Sequence, residues 1–446
     1  MQPVYVPGRI RIGGLVASST TTTRRPIDVV TGAHTTNRKP TVDSNPEPQT
    51  SRVIIKPRRA QPFFSRHPWV FAGAIQRIET PDEKLNPGDE VTVHSSKGEF
   101  IARGLINHNS NIRVRLYSWI DEPLADDFWR DRVQQAVAMR SRLFEGSQTN
   151  AYRLIASEAD GLSGLTVDRY GDWLLAQFTS LAVHQRREPI ITALNELVKP
   201  RGIWMRTDRG VLDAEGLELE DGLVSGDEPD RPMFIQQNEL QFGVDVTEGQ
   251  KTGFYLDQRG NREAVAEYVR GRRVLDCFCY TGGFGIAAAK LGGSTDVTGL
   301  DSSEPALEIA GANAELNGVA EACRFEKADV KTRLAELKEQ GEQYDVVIMD
   351  PPKLARSRGG LQRALKAYLK MNQSAVNLLP PGGILATASC SGLVSHEQFE
   401  VVLAAVARES GRPIRILESR SQPADHPVSP NCPESRYLKF LICEVG

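Results

Sequence analysis

The segment Arg273–Leu291, RVLDCFCYTGGFGIAAAKL, combines an apolar strand, a turn of small residues and a helix. We expect the strand to run from Arg273 to Phe278 and the helix from Phe284 to Leu291. In this arrangement backbone N–H groups and a helix N-terminus can approach a ligand closely. The glycine spacing is not G-x-G-x-x-G, and no Lys-Ser/Thr pair follows Gly285, so a pyrophosphate ligand is not expected.

Two carboxylates follow apolar strands in the order expected of a nucleotide cofactor site. Asp276 lies at the end of the first strand, where its charge would repel a phosphate but suits the amino group of a sulfonium amino acid. Asp301 follows the next apolar run, Val297–Leu300, at the position of an acid that binds ribose hydroxyls in doubly wound folds. S-adenosylmethionine (SAM) suits both carboxylates and is the expected cofactor.

The alternation of strands and helices predicts an α/β fold with a parallel sheet, because crossovers between such strands are right-handed. Further strands are expected at Cys323–Glu326, Asp345–Met349 and Gly383–Ser389, and the final run, Tyr437–Glu444, is expected to be antiparallel. The sequence Asp350-Pro351-Pro352-Lys353 follows one of these strands and Cys390 follows the next. Asp350 and Cys390 should therefore meet at the crevice where such sheets bind ligands.

Composition divides the 446-residue chain into a tail and three domains. Residues 1–50 are rich in Ser, Thr and Arg with little apolar periodicity, which predicts a disordered tail; a transit peptide is the alternative. Residues 51–125 are expected to form a small β-barrel, residues 126–245 a central α+β linking domain, and residues 246–446 the cofactor-binding domain.

Charge and cysteine content exclude several classes of protein. A net charge of −3 and a pI near 6.2 give no global sign of nucleic-acid binding. No apolar run is long enough for a membrane span and no signal sequence opens the chain, so we expect a cytoplasmic protein. The six cysteines have neither a disulfide-framework nor a zinc-site spacing, and Glu158, Asp160 and Asp168 are expected to be solvated or capping groups, so no metal site is predicted.

A local RNA-binding surface is predicted near the start of the barrel. Arginines interleave with aromatic residues over 52–78, where no acidic residue occurs. That mixture suits phosphate contact with base stacking, and Arg58, Arg59 and Arg66 are the expected RNA ligands. Trp69 and Phe71 are equally compatible with the core of the barrel.

The motifs resemble those of class I methyltransferases of the large-subunit ribosomal RNA cytosine-C5 family, the RlmI-like group, which carries an amino-terminal PUA domain. The resemblance spans nearly everything after residue 51 and is carried by Arg66–Phe71, Asp160–Leu162, Leu165–Gly171, Glu248–Arg259, Tyr280–Phe284, Asp350–Lys353, Ser389–Ser391 and Ala424–Pro427. It implies a PUA-type barrel, a Rossmann-like SAM site, large-subunit (23S) ribosomal RNA as substrate and a homodimer.

The resemblance also implies roles for particular residues. The implied cofactor ligands are Lys251, Thr252, Phe254, Gln258, Arg259, Asp276, Thr281, Gly282, Gly283, Asp301, Asp329 and Asp350. Asp301 would bind ribose and Asp329 would lie near adenine, whereas Lys353 would contact RNA. Two of these have structural alternatives: Arg259 could pair with Asp257 or cap a helix, and Asp329 could be the N-cap of the next helix.

For cytosine C5, the expected chemistry is covalent catalysis. A Cys390 thiolate would add to C6 and make C5 nucleophilic, and Asp350 would hydrogen-bond the base edge and favour protonation at N3. The base that removes the C5 proton is unassigned, with Asp425-His426 as the candidate. Three alternatives remain open: Cys390 is a core residue, the enzyme methylates a guanine nitrogen without a cysteine, or the chain is a non-catalytic ribosome-assembly factor.

Overall fold

The computed structural model describes residues 50–81, 84–247, 253–355 and 357–446, and this part of the chain contains four β-sheets. The predicted tail lies outside the described residues except for its last residue, as do Lys251 and Thr252. Residues from Gln49 to Gly446 form one compact unit. Among the described helices, none is both long and apolar enough to cross a membrane.

The first sheet covers the region in which a barrel is predicted. Its strands have the order β2-β6-β5-β4-β1-β3, and β1 pairs in parallel with β4. The interior is filled by aliphatic side chains such as Val53, Val93 and Val114, each fully buried. The elements are β1 Ser51–Ile55, α1 Gln61–Phe64, β2 Trp69–Phe71, β3 Ile75–Glu79, β4 Glu90–His94, β5 Phe100–Ile106 and β6 Ile112–Ser118.

The central region contains a five-stranded sheet and a separate hairpin. The sheet has the order β11-β10-β9-β8-β7, and β8 and β9 form a hairpin across Gly171. The elements are α2 Asp126–Leu143, β7 Ala151–Ala156, β8 Leu165–Tyr170, β9 Trp173–Phe178, α3 Leu181–His184, α4 Arg187–Val198, β10 Gly202–Met205, α5 Arg209–Glu215, β11 Gly222–Gly226, β12 Met233–Gln237 and β13 Leu240–Val244.

The third region holds a seven-stranded sheet in the order β16-β15-β14-β17-β18-β20-β19. Five strands are parallel, whereas β20 is antiparallel to both neighbours, as predicted. The elements are α6 Arg259–Ala266, β14 Arg273–Cys277, α7 Gly283–Lys290, β15 Asp296–Asp301, α8 Glu304–Leu316, β16 Cys323–Lys327, α9 Val330–Glu339, β17 Val346–Met349, α10 Leu361–Val376, β18 Gly383–Ser389, α11 His396–Ser410, β19 Ile414–Arg420 and β20 Lys439–Val445.

Strand order positions the candidate site. The central parallel strands are mainly apolar because helices cover both faces of the sheet, and all four residues of β17 are apolar and buried. β14 lies between β15 and β17, so the order of the strands in the sheet reverses at β14. At such a reversal a crevice opens at the carboxyl ends of the strands. Asp276, Asp301, Asp350 and Cys390 all lie at those ends.

Candidate active site

A cavity of about 300 Å³ lies at the carboxyl ends of β14, β15, β17 and β18. This volume is within the range of small-molecule sites. A larger cavity of about 610 Å³ lies between the β12–β13 hairpin and α8, but its lining contains none of the strand-end carboxylates. The first cavity is lined by Phe254, Tyr255, Asp257, Gln258, Arg262, Phe278, Cys279, Tyr280, Thr281, Gly283, Phe284, Asp301, Ser302, Asp350, Pro351, Pro352, Lys353, Cys390 and Leu438.

The loop between β14 and α7 has an unusual backbone. Phe278 and Tyr280 adopt positive φ angles of 63° and 50°, which are unfavourable for aromatic residues and occur mainly at functional sites. Gly282 has a φ of 80°, and a Cβ there would lie 3.1 Å from the Phe325 ring. Gly282 is therefore needed for the turn and its packing, and it is absent from the cavity lining, whereas Gly283 lines the cavity.

Three buried polar atoms near the loop after β14 have no hydrogen-bond partner among the described residues: Arg262 Nε and Thr281 Oγ1, whose residues line the cavity, and Asp276 Oδ1, whose residue lies behind the lining. The second oxygen of Asp276 accepts a hydrogen bond from the backbone N–H of Gly285 at 2.9 Å. Buried polar groups without partners are costly, and they are commonly completed by a ligand or water. A donor beside an acceptor fits the carboxylate and ammonium of an amino acid, which is one end of SAM.

Burial changes the pKa values of both charged groups, the Asp276 carboxyl and the Arg262 guanidinium. Burial raises the pKa of Asp276 to about 7, and the nearby Asp350 adds to this, while the Gly285 N–H and Arg262 oppose it. Burial lowers the pKa of Arg262 to about 10, so its guanidinium is still charged at neutral pH. An ammonium group placed at Asp276 would restore the charged carboxylate.

Asp301 is held by the loop that it faces. Its Oδ2 accepts from the backbone N–H of Tyr280 at 3.0 Å, and its Oδ1 accepts from the backbone N–H of Ser303 at 2.9 Å. Each carboxylate oxygen has a second lone pair, so Asp301 can still accept hydrogen bonds from a ribose diol. Its half-buried position on the cavity wall fits that role.

The other predicted cofactor residues divide into two groups. Phe254 and Gln258 line the cavity, and the Arg262 guanidinium lies 4.4 Å from the centre of the Phe254 ring. Arg259 and Asp329 do not line it. Arg259 forms an ion pair with the buried Asp425 at 2.5 Å, rather than with Asp257, and Asp329 is the exposed N-cap of α9, accepting from Thr332 N at 2.9 Å.

The opposite end of the cavity contains Asp350 and Cys390. Asp350 Oδ2 accepts a hydrogen bond from Gln258 Nε2 at 2.9 Å, which links the two ends. Cys390 is half-buried, whereas the other five cysteines are buried. Burial raises the pKa of each of those five thiols: Cys277, Cys279, Cys323, Cys432 and Cys443. Cys390 is thus the cysteine best placed to react with a substrate.

A network of buried groups fixes the chain around Cys390. Ser389 and Ser391 are fully buried and both contact the Tyr368 hydroxyl, at 3.0 Å and 3.1 Å. Ser391 Oγ also accepts from the backbone N–H of Ala355 at 3.1 Å, which ties the loop after β17 to the loop after β18. Because alternate residues of an extended chain point to opposite sides, two inward serines turn Cys390 toward the cavity.

Several cavity residues were not predicted. Tyr255 and Asp257 belong to the quoted Glu248–Arg259 run, where sequence alone did not separate ligands from packing residues. Arg262 follows Gln258 by four residues, so helical periodicity on α6 was the signal that could have revealed it. Leu438 has no local signal, since only the antiparallel pairing of β20 brings it to the site.

The predicted RNA ligands lie on exposed surface. Arg58, Arg59 and Arg66 are exposed on the barrel, and Lys353 is exposed at the cavity. Phe71 is 47% exposed, whereas the half-buried Trp69 donates its indole N–H to Glu158 at 3.0 Å. Phe71 is therefore available for stacking, while Trp69 joins the barrel to the central region.

Other candidate groups have structural partners. Asp425 is fully buried, accepts from the backbone N–H of Arg153 at 2.9 Å and contacts His426 at 3.3 Å. Neither Asp425 nor His426 lines the cavity, so the pair has no geometric support as the catalytic base. The three carboxylates of the central region form ion pairs with arginines: Glu158 with Arg115, Asp160 with Arg140 and Asp168 with Arg153.

One group of side chains in the described residues has the spacing of possible metal ligands. His67 Nε2, Cys432 Sγ and a carboxylate oxygen of Glu434 lie within 4.8 Å of one another. His67 Nε2 is 3.3 Å from Glu434, and Cys432 Sγ is 3.6 Å from it. The absence of a metal site therefore stays a prediction.

Two family profiles match the chain: a PUA-like domain over residues 53–119 and an S-adenosylmethionine-dependent methyltransferase over residues 221–440. Ribosomal RNA large subunit methyltransferase I from Photobacterium profundum is 42% identical over 398 residues, which are 89% of this chain and 100% of that protein. The protein of the same name from Erwinia tasmaniensis is 40% identical over 398 residues, with the same coverage.

Solved structures share the fold. SMU.776, described as a candidate methyltransferase complexed with SAH, aligns with a TM-score of 0.77 at 21% identity and covers 88% of this chain and 99% of its own. A candidate SAM-dependent methyltransferase from Streptococcus mutans aligns with a TM-score of 0.75 at 20% identity and the same coverage. The matches confirm the predicted fold class, the PUA-type domain and SAM as the cofactor.

Proposed function

Because the chain belongs to the family of the ribosomal RNA large subunit methyltransferases I, we propose that it transfers a methyl group from SAM to C5 of a cytidine in large-subunit (23S) ribosomal RNA. The proposal is carried by the half-buried thiol of Cys390, which lines the same cavity as the loop after β14. C5 of cytosine is a poor nucleophile and needs covalent activation, whereas a guanine nitrogen can attack directly.

Residues at the β14 end would hold the cofactor. Arg262 Nε would donate to its carboxylate, Asp276 Oδ1 would accept from its ammonium, and Asp301 would accept from its ribose hydroxyls. Bound SAM supplies an electrophilic methyl group. Gln258, which donates to Asp350 at 2.9 Å, fixes the distance between this end and the cytosine.

Cys390 would open the reaction. Its thiolate attacks C6 of the cytosine, the S–C6 bond forms, and the ring gains a proton at N3 as C5 becomes an enamine carbon. Asp350 would form a hydrogen bond with the edge of the base and so favour protonation of the ring at N3. C5 would then accept the methyl group as the S–CH₃ bond of SAM breaks, a base would remove the C5 proton, the electron pair left behind would expel the thiolate from C6, and N3 would lose the proton that it gained.

RNA would reach the cavity across the basic face of the barrel. Arg58, Arg59 and Arg66 would contact phosphates there, and Lys353 would contact a phosphate beside the target nucleotide. The exposed Phe71 offers a surface for base stacking.

The test is to incubate undermodified ribosomal RNA with methyl-labelled SAM, digest the RNA to nucleosides and identify the labelled nucleoside by mass spectrometry. We expect 5-methylcytidine with the wild type and with Cys432→Ala, a buried cysteine outside the cavity, and no product with Cys390→Ala. Label in methylguanosine that persists in Cys390→Ala would overturn the proposal. Calorimetric SAM binding by each variant confirms that its fold is intact.

A further inference from the structure

Lys439 is a buried lysine placed against the segment that carries Cys390. It is only 2% exposed, and its Nζ donates to the carbonyl oxygens of Ser391 at 2.6 Å and Tyr437 at 2.8 Å. In the antiparallel register of β18 and β20, Lys439 lies opposite Ser389. Lys439 therefore lies on β20 opposite Ser389, the residue before Cys390. Its ammonium group holds the carbonyl of Ser391, the residue after Cys390.

The charge of Lys439 lacks the usual counter-ion. Both of its hydrogen-bond acceptors are neutral carbonyls, and within the described residues no carboxylate lies at ion-pair distance from Nζ. A buried ammonium without a paired anion is strongly disfavoured. Burial lowers the pKa of Lys439 to about 8, and the neighbouring Cys390 opposes that shift while Lys353 adds to it. Because Lys439 Nζ binds the carbonyl of the residue next to Cys390, a Cys390 thiolate would lie within the field of this ammonium and offset its charge.

The other titratable groups around the thiol come from separate elements. Tyr368 on α10 and Tyr255 before α6 both interact with Cys390, and burial raises the pKa of each phenol, so both stay neutral near pH 8. Asp350 and Asp257 line the same cavity and oppose a thiolate, whereas Lys353 is an exposed cation. Two buried cations lie near the cavity: Arg262 at the β14 end, and Lys439 beside the Cys390 segment, where water and salt screen its field little.

We propose that Lys439 is a positioning residue that keeps Cys390 as a thiolate while it fixes the Ser391 carbonyl. The thiol proton leaves to solvent and the ammonium keeps its three protons, so the thiolate offsets the buried positive charge. The inference rests on the proposed function only for the role of the thiolate as the nucleophile that attacks cytosine. The ion pair itself belongs to the protein without RNA.

The test is the pH dependence of Cys390 alkylation by iodoacetamide, in which the thiolate displaces iodide and forms a thioether that peptide mass spectrometry locates. We expect the full-length wild type to react with a midpoint below the ordinary thiol value of about 8.5. In Lys439→Met the midpoint should rise by at least about one pH unit. In Lys439→Arg, which retains the charge, it should stay low, and Lys338→Met on α9 is the control for loss of an exposed lysine.

Two results would overturn the proposal. One is a wild-type midpoint at or above about 8.5, which requires no variant to fold. The other is a rise of equal size in Lys439→Met and Lys439→Arg, which would mean disturbed packing rather than lost charge. The assay needs neither RNA nor SAM, so a low midpoint in an enzyme that makes no 5-methylcytidine would refute the proposed function and leave the Lys439–Cys390 pair standing.

Discussion

The two ends of the cavity differ in how the polar groups around their proposed functional residues are satisfied, although Thr387 Oγ1 within β18 also has no partner among the described residues. At the β14 end, Arg262 Nε, Asp276 Oδ1 and Thr281 Oγ1 have no partner among the described residues. At the β18 end, the Tyr368 hydroxyl, the serine hydroxyls and the Lys439 ammonium bond to groups of the protein. A network satisfied by the protein is rigid before substrate arrives, whereas unsatisfied groups gain their partners from a ligand.

The difference assigns separate tasks to the two ends. Groups completed by a ligand determine affinity, because their desolvation cost is recovered only on binding. Groups already fixed by the protein determine rate, because a preorganised site needs no rearrangement in the transition state. Substitutions at the first end should therefore change the SAM dissociation constant, and those at the second end should change kcat.

After Cys390→Ala, which should abolish the product, Asp350→Asn should give the largest effect. The asparagine oxygen can still accept from Gln258 Nε2, but the negative charge that favours protonation at N3 is lost. We expect the single-turnover methylation rate to fall about a hundredfold or more, with SAM affinity changed less than about twofold. A loss of SAM affinity as large as the loss of rate would place Asp350 at the cofactor end instead.

Asp276→Asn should weaken SAM binding at least about tenfold in calorimetry. The asparagine oxygen can keep the hydrogen bond from Gly285, but its NH₂ group then faces the cofactor ammonium, donor against donor.

The matched control is Asp329→Asn. Asp329 follows β16, the second strand after β14 along the chain, and lies outside the cavity. Its SAM affinity should be unchanged, because its carboxylate caps α9. Equal losses of SAM affinity in Asp276→Asn and Asp329→Asn would contradict the assignment of Asp276 as a cofactor ligand and of Asp329 as a helix cap.

Asp276 and Asp329 also mark how far the sequence could predict the site. Asp276 lies near the end of β14 and Asp329 follows β16, and the resemblance implied both as cofactor ligands, with a helix N-cap as the alternative for Asp329. In the structure, Asp329 accepts from the backbone N–H of Thr332 at 2.9 Å and from its hydroxyl at 2.7 Å. Asp329 is also exposed and lies outside the cavity lining, and strand periodicity carries no information on which strand-end carboxylate faces the cavity.

Strand periodicity predicted the sheet and the residues at its carboxyl edge, because buried parallel strands are apolar runs that end at a fixed edge. It could not predict partners fixed by long-range packing. Arg259 pairs with Asp425, which lies 166 residues further along the chain. Lys439 reaches the Ser391 carbonyl, next to Cys390, only through the register of an antiparallel strand, and Arg262 reaches the cavity from the interior of a helix.

Ionisation of Asp276 as the pH rises should lower the stability of the ligand-free protein and raise its affinity for SAM. With its folded pKa raised to about 7, the folded state binds more protons than the unfolded state between about pH 4 and pH 7. The stability that this carboxyl contributes to the ligand-free protein is fully present below about pH 4 and is lost as the pH rises through 7.

SAM affinity should instead rise with pH, because only the ionised carboxylate pairs with an ammonium. We expect it to increase about tenfold between pH 5.5 and pH 7, below the range in which the amino group of SAM loses its own proton, measured by calorimetry. Asp276→Asn should remove this dependence and also the matching slope in thermal unfolding. A slope that survives in the variant would assign the titration to another group.

The smallest expected effect belongs to Lys353→Met, at the exposed edge of the substrate end. One phosphate contact in single-stranded RNA accounts for about 0.7 in the slope of log affinity against log salt, so the slope should become shallower by about that amount. RNA affinity at moderate salt should fall about two- to threefold while SAM affinity stays constant, and Lys338→Met should change neither. Because SAM carries its own positive charge, weaker SAM binding after removal of a lysine would contradict simple electrostatics and show that the Asp350 loop couples the two ends.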